Sequence, residues 1–410
     1  MLGTMSDANP IEAPTTGGHG LGPASWEHFA QALRRASALV QAGGASPSDR
    51  HLAEGYRYLA RFLGAGLVSC VLHNDPDYPV FGRMMDYTMP WGLDHPDCLY
   101  LYAALRADAE YRVWGARGSA NHLDIQVNAG HFALGSVEAT RTIASCDDGA
   151  LELGDGGDFE LRIGGPERPG NWLASRDDVS FLLVRQYFYD WENERPADLL
   201  IERVGASYPI PPPSPERVAH QLELLTSWIE RGGAQWLRMS EGFLSLPENS
   251  VIVHAADAAA EHAGAAGQAY AMGHFACEPG EAVIVEFAPP PSKHWVFAMG
   301  NLFWEQIEFA SRQSSLNGFQ ARLDPDGHFR GVIAHEDPGV ANWLDPAGNT
   351  RGTVAMRFLG ANEKPVCSFT RVAAKDVRRA LPPGTPRVSA QERMEVLTRR
   401  RHAVLRRYRR

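Results

Sequence analysis

Apolar residues recur along this chain with two different periods, and the two periods alternate. Trp26, Phe29, Leu33, Ala36 and Val40 follow Ser25 at helical spacing, which predicts a helix capped by Ser25 and ended by Gly43-Gly44. Leu52, Tyr56, Leu59 and Leu63 predict a second helix, opening at Ser46 with Pro47 in its first turn. From about Cys98 to Val204, short apolar runs broken by glycine and proline take over. There 111–113, 122–127, 151–153, 159–163, 179–188 and 199–203 read as strands. Pro209 to Pro215, with five prolines in seven residues, is a stiff extended linker. A further helical block, 218–243, carries Val218, Leu222, Leu225 and Ile229 on one face. The strand period then returns at 282–287, 294–300, 319–323, 329–334 and 353–358.

The second half repeats the first. Phe159 and Ile163 fall on Phe329 and Ile333, Asn171-Trp172-Leu173 on Asn342-Trp343-Leu344, Val184-Arg185 on Met356-Arg357, and His122 on His294, at offsets of 170 to 172 residues. A nearly constant offset over several blocks marks an internal duplication. The fold class expected is therefore α+β: two tandem antiparallel β-sandwich, jelly-roll-like modules, each preceded by helices. The divisions are a leader (1–24), N-terminal helices (25–90), a first sandwich (91–208), linker and helices (209–247), a second sandwich (248–375) and a C-terminal linker with a basic helix (376–410). Packing about a pseudo-two-fold axis is the natural arrangement for such copies.

The repeated blocks carry a resemblance. Phe329 to Leu344 followed by Met356-Arg357-Phe358, and Gly170-Asn171-Trp172-Leu173 with Val184 to Phe188 and Asp190-Trp191, are similar to the signature of the bacterial family known as domain of unknown function 1214. The resemblance spans most of Cys98 to Leu359 and implies a β-sandwich or jelly-roll fold. It implies no activity and no catalytic residues.

Composition removes several function classes. The formal net charge of −10 argues against a body that grips nucleic acid or an anionic membrane. The exception is Arg399 to Arg410, with seven arginines, on a helix opened by the capping box Ser389 and Glu392; such a tail suits either solvent or an acidic partner. Five scattered cysteines without a Cys-x-x-Cys pair indicate reduced thiols and a cytoplasmic location. Met1 to Pro23 reads as a disordered leader, and no run is apolar enough to span a membrane. A homo-oligomer stays open. There is no phosphate-binding Gly-x-x-x-x-Gly-Lys loop, no His-Glu-x-x-His and no Gly-x-Ser-x-Gly.

Three clusters could carry chemistry. His122, Asp124, Gln126 and Asn128 stand at period two on one strand face, with His122 and Asp124 a minimal acid–base pair and Gln126 and Asn128 as binding groups. Trp295, Phe297, Met299, Phe303 and Trp304 suggest an apolar pocket, with His294 and Glu305 as its convergent polar groups. A carboxylate there would have its pKa raised by desolvation. His335 and Asp337 sit in a strand-end loop that lacks a histidine in the first copy. Together they predict a cofactor-independent acid/base enzyme, a hydro-lyase, isomerase or hydrolase, acting on a neutral hydrophobic small molecule through His294, Glu305, His335 and Asp337. No metal and no cofactor are called for. The alternative is a non-catalytic sandwich that binds a carbohydrate or lipid.

Overall fold

A computed structural model describes residues 21–41, 48–136, 139–254, 264–265, 267–361, 363 and 365–409. Most of the expected leader, the Gly43-Gly44 stop and the Ser46-Pro47 start lie outside them. The first helix, α1 (Pro23–Gln41), begins two residues before Ser25. The second, α2 (Asp49–Leu67), is capped by Ser48, whose side chain accepts from the His51 N–H. Helices α3 (Pro215–Ser227) and α4 (Gly233–Leu244) form the second block; Ser214 caps α3 and Pro215 opens it, so the helix begins at the last proline of the expected linker.

Seventeen strands are described: β1 (Cys98–Ala104), β2 (Tyr111–Ala116), β3 (His122–Gly130), β4 (Thr140–Asp147), β5 (Asp158–Ile163), β6 (Trp172–Leu173), β7 (Val179–Tyr187), β8 (Asp198–Arg203), β9 (Ser250–His254), β10 (Gln268–Ala276), β11 (Glu281–Phe287), β12 (His294–Gly300), β13 (Ser315–Asn317), β14 (Phe329–Ala334), β15 (Trp343–Leu344), β16 (Arg351–Leu359) and β17 (Ser368–Ala373). They make two sandwiches. The first pairs sheet β1-β7-β3-β4 with sheet β6-β5-β2-β8; the second pairs β13-β12-β16-β10-β9 with β15-β14-β11-β17. The duplication extends to the hydrogen-bond register: Asp124 opposes Arg185 as Val296 opposes Arg357, a shift of 172 on both strands.

Two expected strands do not form. Asp147 accepts the Ala150 and Leu151 N–H groups, and the Asn317 side chain accepts those of Phe319 and Gln320, which curls 151–153 and 319–323 out of any ladder.

Period-two alternation fills each core from one face. Leu123, Ile125, Val127, Leu182 and Val184 meet Val113 and Leu161 in the first sandwich. Trp295, Phe297, Met299, Val354 and Met356 meet Val285 and Phe329 in the second. The Asn-Trp blocks are fold elements in both copies. Asn171 brackets Glu152 and Asn342 brackets Arg322 through paired backbone bonds, while Trp172 and Trp343 donate to the carbonyls of Gly164 and Ala334.

The helices pack Phe62, Trp91, Trp228 and Trp236 into a cluster that also holds Tyr102 and Phe181 of the first sandwich and Ala355 of the second, so the helical layer spans the junction. The basic tail, α5 (Ala390–Arg407), keeps its capping box. It also buries Arg393, Arg400 and Arg407, seven residues apart. These donate to the carbonyls of Val340, Phe309 and Pro96, and their guanidinium groups lie over Trp343 and Trp191. The arginine-rich helix is thus a strap over both modules. Among the described residues no helix is long and apolar enough to cross a membrane.

Candidate functional site

The faces of β1, β7, β10 and β16 turned away from the two cores border one cavity of about 460 Å³ between the modules. Each copy contributes an equivalent pair: Tyr100 beside Arg185 from β1 and β7, and Tyr270 beside Arg357 from β10 and β16. The walls are completed by the segment before β1, including Met84, Trp91, Asp94 and His95, by Trp236, Met239 and Phe243 of α4, and by Trp304. This is the concave, mainly apolar setting with a few polar groups that small-molecule sites share.

Both arginines face this junction. Odd positions on β7 and even positions on β3 share the junction face. Arg185 Nη1 therefore lies 3.1 Å from Asp124 Oδ2 and 2.6 Å from Gln126 Oε1. All four polar residues of β3 are buried at this face. Asn128 bonds within its own sheet, to the Gln126 carbonyl and to Thr142. Burial raises the Asp124 carboxyl to about 6 against the pull of Arg185.

The expected His122–Asp124 pair does not form. Two positions along a strand separate side chains by about 6.5 Å, and each finds another partner. His122 Nδ1 lies 2.6 Å from Asp148 Oδ1, with Lys293 Nζ 3.1 Å from the same ring nitrogen. Burial, then Lys293, hold the His122 pKa below its ordinary value despite Asp148.

His294 is also paired with a carboxylate, but with Asp97 instead of Glu305: His294 Nε2 sits 2.8 Å from Asp97 Oδ2. Trp191 Nε1 and Asn317 Nδ2 donate to the other oxygen at 2.7 and 3.1 Å. Glu305 lies past the far end of β12, beside the Gly300–Gln306 bridge, about 20 Å along the strand from His294. There it accepts from Asn301 at 2.8 Å, and Arg61 approaches to 3.5 Å. Burial raises its carboxyl to about 7, the direction the aromatic surroundings predict.

His335 donates to the Cys277 carbonyl, and Asp337 pairs with Arg393 of the strap. The four residues proposed to act together are thus held by four separate sets of partners. Of the apolar candidates, Trp295, Phe297 and Met299 point into the second core, because period two sends them opposite to His294. Phe303 packs with Tyr58 among the helices, and Trp304 alone of the five reaches the cavity wall.

Two of the titratable residues that do line the cavity, Asp94 and His95, belong to Asp94-His95-Pro96-Asp97, a histidine–carboxylate run just before β1 that the sequence reading passed over. Burial raises the Asp94 carboxyl to about 7, opposed by the Gln306 N–H and by Arg357. Burial, then the charge of Arg357, push the His95 pKa well down, so its ring is neutral. Its Nδ1 accepts the Asp97 N–H at 3.1 Å, which leaves the proton on Nε2.

Among the described residues two clusters bring metal-ligand atoms within 4.8 Å of one another: His95, Asp97 and His294, and His122, Asp147 and Asp148. In the second, the Lys293 ammonium already stands where a cation would sit. In the first, His95 offers a hydrogen at Nε2, and its Nδ1 lone pair is engaged by the backbone, so its donor set does not suit a cation.

No family model matches the chain, and no curated protein does. An uncharacterised protein from Burkholderia cenocepacia shares the fold, with a TM-score of 0.81 and 27% identity over 86% of this chain and 97% of that one. The VPA0106 protein from Vibrio parahaemolyticus aligns with a TM-score of 0.44 and 14% identity over 77% of this chain and 98% of its own. The cavity is the site that the architecture itself presents.

Proposed function

We propose that this protein binds a largely apolar small molecule in the cavity between its duplicated sandwiches. The carrying observation is that one cavity of about 460 Å³ takes equivalent Arg–Tyr pairs from both copies, with apolar walls and several buried polar atoms that lack partners, among them Gln268 Oε1 and the Trp236 and Trp304 Nε1 groups. Buried polar atoms normally have partners, and a ligand supplies them. The test is native mass spectrometry of protein purified from its source, with identification of what denaturation releases. Ligand-free protein whose melting temperature no apolar compound raises would sink the reading.

One observation favours acid–base catalysis on the bound molecule. Asp94 is a cavity-lining carboxyl whose pKa of about 7 suits proton transfer at neutral pH. The His294–Asp97 pair adjoins His95, the next residue, with the His95 and His294 rings 5.2 Å apart. Asp94→Asn would then retain binding and abolish turnover of the compound identified. A lyase or isomerase acting without a cofactor is the class this arrangement suits. The reading also keeps the membership in the domain of unknown function 1214 family suggested by the Asn-Trp-Leu blocks. It keeps a cytoplasmic setting too, suggested by five free thiols. The exposed Arg406 and Arg409 are what the strap leaves for an acidic partner.

A further inference from the structure

The duplication also specifies the charge of the ligand, on the premise that the cavity holds one. In the first copy Arg185 is answered across the sheet by Asp124 and Gln126. The same register in the second copy puts Val296 opposite Arg357 and Ala298 two residues on. Arg357 has thus kept its guanidinium without the matching carboxylate and amide. It is 6% exposed, donates through Nη2 to the Leu93 carbonyl, and leaves Nη1 without a partner. Among the described residues no carboxylate lies within 4 Å of it. A charge buried without a counter-ion is strongly unfavourable, and something must compensate it.

Asp94 supplies only part of that compensation, because burial leaves its carboxyl titrating at about 7. His95, 2% exposed, also lines the cavity and keeps Nε2–H as a second donor without a partner. Since the His95 ring is neutral, the two donors carry one positive charge between them. Around them Met84, Phe132, Trp236 and Met272 form an apolar surround.

We infer that the ligand is an amphipathic monocarboxylate whose two oxygens accept from Arg357 Nη1 and His95 Nε2 while its apolar body lies against Met84, Phe132, Trp236 and Met272. Two donors match the two oxygens of a carboxylate, and one net charge matches a monoanion.

The test titrates the full-length protein with octanoate against octanamide and with 4-phenylbutyrate against 4-phenylbutanamide. Binding is followed by the fluorescence of Trp91, Trp236 and Trp304, which line the cavity. Each acid is expected to bind about ten- to a hundredfold more tightly than its amide. Arg357→Met is expected to erase that preference and spare amide binding. Val296→Asp guards against a misfolded variant: it restores the first copy's pairing, so the melting temperature holds or rises while the preference disappears. Equal affinity for acid and amide overturns the charge assignment and leaves the cavity reading standing. Binding of neither overturns both. A preference that survives both substitutions puts the anion elsewhere and overturns the assignment to Arg357.

Discussion

Replacing Glu305 by glutamine tests whether this residue is a buried, structurally costly carboxylate. It is 3% exposed, accepts one bond from Asn301, and meets Arg61 only at 3.5 Å. Burial lifts its pKa from 4.5 to about 7, so the folded chain holds this proton more tightly than the unfolded chain does. The contribution to stability is therefore full below about pH 4.5 and is lost as pH rises through 7. At 1.36 kcal/mol per pH unit the loss is about 3 kcal/mol, an upper figure because Arg61 is partly solvated. Glutamine keeps the shape and the Asn301 acceptor while removing the titration. Urea unfolding at pH 5 and pH 8 should show the wild type losing stability across that interval. Glu305→Gln should lose about 2 to 3 kcal/mol less. Parallel pH dependences in the two proteins would refute the argument and return Glu305 to the list of exposed or well-paired carboxylates.

Removing 390–410 should lower the melting temperature sharply, because the Val340, Phe309 and Pro96 carbonyls lose their arginines together; a truncated chain that melts like the full one would show the strap to be dispensable. Asp124→Val should cost about 3 to 5 kcal/mol by removing a carboxylate that neutralises the buried Arg185, while the double change Asp124→Val, Arg185→Met should return near wild-type stability in chemical unfolding. Asp148 is held at about 2, against burial, by Lys293, Arg117 and His122. Its stabilisation is therefore present above pH 4 and lost as pH falls towards 2, and Lys293→Met should move the acid unfolding midpoint upward.

The period of the apolar residues and the 172-residue offset already specified the sandwiches, the helical lead-ins and the equivalence of β3, β7, β12 and β16. Local rules were enough there: alternation defines a core face, and Ser214-Pro215 or Ser389 with Glu392 opens a helix through bonds within one turn. Strands β1, β4, β9, β10 and β17 escaped because half-buried faces and alanine- or glycine-containing runs blur the alternation, and β6, β13 and β15 because two or three residues are too few to show one.

The site was legible only in pieces. The polar stripe of β3, the paired arginines and His294 could all be picked out, but not their partners. Each partner arrives from a distant segment: Asp97 to His294, Asp148 to His122, Asp337 to Arg393. The sequence also showed Asp124 replaced by Val296 without showing that it mattered, since charge compensation is a property of neighbours across a sheet. Only the packing of one module against the other buried Arg357 and His95 beside the same cavity, and burial is what turns an ordinary side chain into one that requires a ligand.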